Sequence, residues 1–340
     1  RERGTIRQLQ RLQWQFQDAR RRGKKMFALF VDTSNAFNSV SHQVIWSILR
    51  AYGFQDDDVR FLEQVYDGNH FSVAGPFGRT AELHSHAGVN QGDITSPLIW
   101  NLVINALIRY INGVGEGYTH ESGVSTSALA YIDDAVVLSE SEEGFKKMIA
   151  RLNRFYDWAG LRVNHGKCAM FGFDFGTHSV LATDHIRIHD RSMPVLPYHG
   201  TYKYLGMEVS PSGSWAVEKG RVRRKLRECI TALRSSPYLP NQLDRVVRAC
   251  MLPIFRYGAG LVDWTDTELA DITRIWANGR RLAWKLAPGT PHVLHTMGTE
   301  WGGGGIPSAQ LLWTKEILGV IQQCALHEDD MRTMLMWEWS

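Results

Sequence analysis

The sequence predicts an α+β protein: an antiparallel sheet packed on helices, followed by an all-helical region. Three observations carry that prediction. Continuously apolar runs at 26–31 and 128–132 have strand length and end in aspartates, Asp32 and Asp133. Amphipathic segments with helical spacing lie between and after them. Beyond about residue 214 every periodic stretch is helical, and prolines or the glycine run 302–305 separate one from the next.

In chain order, residues 5–22 form a helix with Leu9, Leu12 and Phe16 on one face, closing on Arg20-Arg21-Arg22-Gly23-Lys24-Lys25. The strand at 26–31 delivers Asp32, and Thr33 to Asn38 turn the chain. Ser41 caps a helix whose inner face is Ile45, Ile48, Leu49 and Tyr52, with Gly53 placed to end it. A helix at about 56–66 precedes a small hairpin, 71–74 with 81–86, joined through Pro76, Phe77 and Gly78. The glycine-bearing loop 88–97 closes on a helix start, with Ser96 as cap and Pro97 as first residue. That helix continues through Leu98, Leu102, Ala106 and Tyr110. The runs on either side of Asp133 and Asp134 read as a hairpin with the acidic pair at its turn. Ser141 opens a helix with Phe145, Met148, Ile149, Leu152, Phe155 and Tyr156 inward and Gly160 at its end. Strands at 161–164 and 202–209 complete the sheet. Helices follow at 215–234, 241–257, 267–286 and 308–327.

With 340 residues, 44% of them hydrophobic, the chain can build two or three cores and is neither disordered nor fibrous. Its apolar runs stop far short of a bilayer span, so neither a membrane partner nor a secretory signal is expected, and the location expected is intracellular, nuclear or cytoplasmic. The four cysteines are widely spaced, which suits reduced thiols better than a disulfide framework or a zinc site. The net charge of +3 conceals a segregation. Residues 1–25 carry nine Lys/Arg against two acids, 26–214 carry thirteen against twenty, and 215–290 carry fourteen against seven. An acidic centre between basic flanks suits cations at a reaction site with a polyanion held on either side.

Asp133 and Asp134 are adjacent, and ionised carboxylates this close destabilise one another unless one protonates or a divalent cation binds between them. Asp pairs also occur simply as turn formers. Asp32 changes the weighing, because neighbouring antiparallel strands would bring it to the same sheet edge. Three carboxylates there can hold two divalent cations, one activating an attacking hydroxyl and the other stabilising a pyrophosphate leaving group. That is the chemistry of nucleotidyl transfer.

Five blocks in order carry a family resemblance: Phe30 to Asn38, Gly88 to Pro97 with Asn101, Ala130 to Asp134, Gly160 to Lys167, and Tyr202 to Gly206. They resemble the palm of a reverse transcriptase, in wording closest to the non-LTR (LINE-like) retrotransposon enzymes and more distantly similar to group II intron maturases. The resemblance covers about residues 8–210; beyond that it rests on Leu252-Pro253 with Tyr257-Gly258. It implies a right-hand polymerase fold, with a ferredoxin-like palm followed by a helical thumb. It also implies RNA-directed DNA polymerase activity with two Mg²⁺ ions, for which Mn²⁺ can substitute. The partners it implies are an RNA template, a DNA primer, dNTPs and the RNA/DNA heteroduplex.

Residue by residue, the resemblance makes Asp32, Asp133 and Asp134 the catalytic metal ligands. Ala36, Phe37, Gln91 and Gly92 would lie along the incoming nucleotide, with the Phe37 ring crowding a ribose 2′-hydroxyl. Lys167 would act as general acid toward the leaving pyrophosphate. Tyr204, Leu205 and Gly206 would form the primer grip. Arg221, Arg223, Arg224, Lys225 and Arg227 would let the first thumb helix track a duplex backbone. The expected domains are a basic helix at 1–25, a palm at 26–213 with partial fingers at about 41–87, a thumb at 214–290 and a helical extension at 291–340. The short stretch before the first block lacks the expected triphosphate-gripping fingers, so the chain reads as a fragment of a longer polyprotein. A silent nucleic-acid-binding remnant is the rival reading, while Phe37 argues against an RNA polymerase.

Overall fold

The computed structural model describes residues 4–67, 70–84, 87–89, 92–234, 239–326 and 329–339. The chain divides into two compact units, one of residues 14–198 and the other of residues 1–13 with 199–340. The helix Gly4–Arg22 contributes to both.

The 14–198 unit is built on a six-stranded antiparallel sheet. Its order is Ser179–Val180, Ala169–Asp174, Lys25–Ser34, Asp134–Ser139, Ala128–Tyr131, with Arg162–Val163 pairing the far end of the central strand. The central strand is buried along residues 26–31, as its apolar run requires. Side chains alternate between faces, so Phe27, Leu29 and Val31 join the core formed with the helices His42–Ala51, Ser96–Asn112 and Glu142–Ala159. Asp32 falls in phase with Ala28 and Phe30, on the other face. There Phe16 of the first helix meets Phe171 edge-on at 5.8 Å.

The caps follow the sequence closely. Ser141 accepts a hydrogen bond from the Gly144 amide at 3.1 Å, and Gly160 ends that helix in the left-handed region at φ 71°. The helix opened by Pro97 has Thr95 rather than Ser96 as its N-cap; Ser96 is its first residue. Its buried stripe is Ile99, Trp100, Val103, Ile104, Leu107 and Ile111, while Leu98 and Tyr110 are exposed.

One expectation about the sheet is corrected. The segment 202–209 does not complete the sheet; Tyr202–Tyr204 and Met207–Val209 form a separate two-stranded hairpin turning at Leu205-Gly206. The place beside the central strand belongs to Ala169–Asp174, which pairs with it from Lys25↔Asp174 to Phe30↔Ala169. The second unit is otherwise mainly helical. Ala216–Arg234 packs on Asp266–Ala283, and Pro240–Val246 continues through a π-helical turn, Val247–Met251, into Leu252–Arg256. Trp215, Trp264 and Trp276 are core residues, whereas Trp284 and Trp301 are exposed.

Candidate active site

The central strand and the 128–139 hairpin bring the acidic residues together. In the antiparallel register Asp32 lies directly opposite Asp134, which sets their β-carbons on one face at roughly 5 Å. Tyr131 pairs with Asp134, leaving Ile132 and Asp133 as the two turn residues. Asp32 and Asp133 line one open cleft of about 410 Å³, together with Thr33, Ser34, Ala36, Phe37, Asn164 and Lys167. Residues more than a hundred positions apart thus share one wall.

Backbone bonds hold Asp32 in place from both sides. Its carbonyl accepts from the Asn164 amide at 2.9 Å, and its amide donates to the Cys168 sulfur at 3.3 Å. Burial pushes the Cys168 thiol up to about 11, so it stays protonated and neutral beside the Asp32 backbone. Next along the strand, the buried Thr33 hydroxyl meets the Tyr156 hydroxyl at 2.7 Å. That bond ties the strand end to the helix below, and burial raises the Tyr156 phenol well above its usual range.

The opposite wall is equally fixed. Asn35 turns the chain in the left-handed region at φ 48°, and Ala36 and Phe37 follow in the short helix Ala36–Ser39. Gly88 and Val89 are stitched to this turn: the Gly88 amide donates to the Val40 carbonyl at 2.7 Å and the Val89 amide to the Phe37 carbonyl at 2.6 Å. A β-carbon on Gly88 would sit 2.4 Å from the Asn38 Cα, so only glycine permits this approach. Gly92, at φ 98°, has open space on its α-carbon. Gln91 lies outside the described residues.

The acidic turn itself is strained. Ile132 has φ 59°, a conformation costing a β-branched residue roughly 1–2 kcal/mol. Trp100, fully buried in the helix Ser96–Asn112, donates its indole N–H to the Ile132 carbonyl at 2.8 Å. Its ring stacks on Phe37, with centroids 5.3 Å apart and planes at 30°. The sequence reading passed over Trp100, because a tryptophan on the inner stripe of a helix looks like ordinary core.

Among the described residues no three His, Cys, Asp or Glu side chains gather closely enough to enclose a metal ion unaided. Mg²⁺ rarely asks for such a cage: it commonly takes one or two carboxylates, waters and substrate phosphates. The two carboxylates of the cleft fit that donor set.

In the second unit, the 202–209 hairpin turns through Leu205 at φ 48° and Gly206 at φ 81°, a two-residue turn with both residues left-handed. The Tyr257 hydroxyl donates to the Leu205 carbonyl, and the Glu208 amide donates to buried Glu218 at 3.0 Å. Gly258 has φ 76°, and a β-carbon there would sit 2.2 Å from the Met207 sulfur. The Tyr257-Gly258 pair noted in the sequence therefore locks this hairpin. Of the five basic residues expected to face nucleic acid, Arg221 is ion-paired with Glu218 and Arg223 with Glu268 at 2.9 Å. Arg224, Lys225 and Arg227 are exposed. Arg227 also lines a groove with Arg234 and Arg281, contributed by the helices Ala216–Arg234 and Asp266–Ala283; Arg234 and Arg281 were not singled out in the sequence.

The chain belongs to the reverse transcriptase (RNA-dependent DNA polymerase) family, whose sequence profile matches residues 3–209. It is 28% identical over 302 residues to a retrovirus-related Pol polyprotein from a type-2 retrotransposable element of Drosophila melanogaster, covering 85% of this chain and 27% of that protein. It is 26% identical to the corresponding polyprotein of the type-1 element R2 from Popillia japonica, covering 75% of this chain and 42% of that one. The RNA-directed DNA polymerase from the mobile element jockey of Drosophila funebris is 26% identical, covering 62% of this chain and 22% of that protein. The chain thus spans less than half the length of these relatives. Among solved structures it is similar to telomerase from Candida tropicalis in complex with a fragment of telomeric RNA, at 9% identity and TM-score 0.41, covering 98% of this chain and 52% of that one.

Proposed function

We propose that this chain is the catalytic core of an RNA-directed DNA polymerase, extending a primer 3′-hydroxyl with dNTPs along an RNA template. One observation carries the reading: Asp32, Asp133, Phe37 and Lys167 line a single cleft in a chain of this family. Residues 26–213 serve as palm with partial fingers at about 41–87, 214–290 as thumb and 291–340 as its extension.

Asp32 and Asp133 are the residues that would hold divalent cations, with Asp134 adding negative charge on the face it shares with Asp32. Bound Mg²⁺, or Mn²⁺ in its place, supplies charge neutralisation at the triphosphate and activation of the primer hydroxyl. The chain's own groups do the rest. Ala36 and Phe37 form the wall against the nucleotide sugar, where an aromatic ring leaves no room for a 2′-hydroxyl. Gln91 and Gly92 are assigned to the base pair, and the Lys167 ammonium is the donor that protonates the departing pyrophosphate. Tyr204, Leu205 and Gly206 grip the primer strand. Arg224, Lys225 and Arg227 hold the heteroduplex backbone without reading its bases.

The test is extension of a DNA primer on an RNA template by this chain, supplied with dNTPs or with rNTPs. Extension with dNTPs only, lost in Asp133→Asn, is the expected result. Equal extension by the Asp133→Asn protein would refute the reading.

A further inference from the structure

We infer that Trp100 is a positioning residue with two separable jobs, one through its N–H and one through its ring. This deepens the polymerase reading and rests on it. The N–H holds the carbonyl of Ile132, the strained residue immediately before Asp133. The ring backs Phe37, the side chain proposed to exclude the 2′-hydroxyl. One fully buried side chain therefore touches both walls of the cleft without lining it.

The physical argument runs through each contact in turn. A two-residue hairpin with positive φ at its first position ordinarily takes glycine there. Isoleucine in that position favours relaxing out of the turn, and relaxation would carry Asp133 with it. The 2.8 Å bond from a fully buried donor opposes this, since breaking it would leave the indole N–H without its partner inside the core. Phe37 is only partly buried and sits on a four-residue helix, so its backbone alone constrains its ring weakly. The near-parallel indole at 5.3 Å fixes the depth to which the phenyl ring reaches into the cleft. Carboxylate placement and sugar selection thus depend on one residue through different atoms.

Two substitutions separate the jobs. Trp100→Phe keeps an aromatic ring against Phe37 and removes the N–H; Trp100→Leu removes both. For Trp100→Phe, kcat with dNTPs falls about 5–10-fold, the loss of one buried hydrogen bond, and the Mg²⁺ concentration for half-maximal rate rises. Its preference for dNTPs over rNTPs stays within about twofold of the parent. Trp100→Leu shows the same loss of rate and also a preference reduced about tenfold or more, approaching that of Phe37→Ala. A merely structural tryptophan would lower the active fraction in both variants without moving the preference or the Mg²⁺ midpoint. The inference is overturned if Trp100→Phe keeps the parent kcat, or if Phe37→Ala relaxes the sugar preference while Trp100→Leu does not. Should Trp100→Leu fail to fold, the Trp100→Phe rate and Mg²⁺ midpoint still decide the first job, and Trp100→Met, which keeps more of the buried volume but cannot stack on Phe37, decides the second by whether the preference falls. An inactive parent chain would remove the polymerase reading and this inference together, whereas an active parent with unaltered variants removes this inference alone.

Discussion

The turn at Ile132-Asp133 and the turn at Leu205-Gly206 solve the same problem with different materials. Each is a two-residue hairpin whose first position holds a bulky residue at positive φ, and each has the carbonyl of that residue bound by an aromatic donor from a helical segment. They differ in what surrounds the strained residue and the donor. Ile132 is 37% exposed and its donor, Trp100, is 0% exposed; Leu205 is 7% exposed and its donor, Tyr257, is 37% exposed. In the first turn the strained side chain is the more exposed of the two and the buried donor holds the geometry. In the second the strained side chain is itself core, and a half-open phenol completes the turn. The acidic turn therefore depends on one bond, and the other on packing.

The comparison breaks most visibly at the donors. Trp100→Ala is expected to cost about 3–5 kcal/mol in chemical denaturation of the 14–198 unit, because it empties a fully buried core site and removes the bond to the Ile132 carbonyl. Tyr257→Phe should cost only about 0.5–1.5 kcal/mol, since it removes one hydrogen bond and keeps the ring. Equal losses would show that donor burial is not what separates the turns. At the strained residues the order reverses. Leu205→Gly relieves the backbone but gives up roughly 1.5–3 kcal/mol of apolar burial, so a net loss of about 1 kcal/mol is expected. Ile132→Gly gives up less burial than Leu205→Gly does, and its stability should match or exceed the parent by up to about 1 kcal/mol. A clear loss there would mean that the Ile132 side chain matters more than its exposure indicates.

A smaller effect concerns the helices behind the second hairpin. Burial favours the neutral form of Glu268, but bonds from Lys219, the Thr265 amide and Arg223 outweigh it and hold the carboxyl down to about 2. The ordinary value is 4.5, so the unfolded chain binds the proton more readily than the folded one. The stabilisation is complete above about pH 4.5 and is lost as the pH falls toward 2. Denaturation midpoints of the parent should decline through that window more steeply than those of Glu268→Gln.

Much of this was legible in the residues. The apolar runs before Asp32 and around Asp133 are long enough to be central strands, and each ends in an acid. That they are antiparallel neighbours is what those runs suggest; the register, Asp32 against Asp134, is set by the structure. The Ser141 cap and Gly160 stop were read from single residues, because each does something few other residue types do. What stayed hidden depends on tertiary partners. The strand Ala169–Asp174 carries a glycine in its apolar run and directly follows a polar turn, and its place beside the central strand shows only in the pairing. Arg221 and Arg223 look like surface charge in a helical wheel, yet Glu218 and Glu268 claim them through helix packing. Trp100 was invisible as a site residue because core and function look alike on the inner stripe of a helix.

The most direct measurement uses the two ends of the central sheet register. Asp32 stands opposite Asp134 at the cleft, and Asp174 stands opposite Lys25 at the far end, where it accepts bonds from the Gly176 and Thr177 amides. Single-turnover extension of a DNA primer on RNA should fall by more than about 100-fold in Asp32→Asn, beyond the loss typical of removing an outer-shell partner. Asp174→Asn, whose amide oxygen can still accept those bonds, should extend at the parent rate. An Asp32→Asn protein that extends as fast as Asp174→Asn would contradict the assignment of the cleft to nucleotidyl transfer.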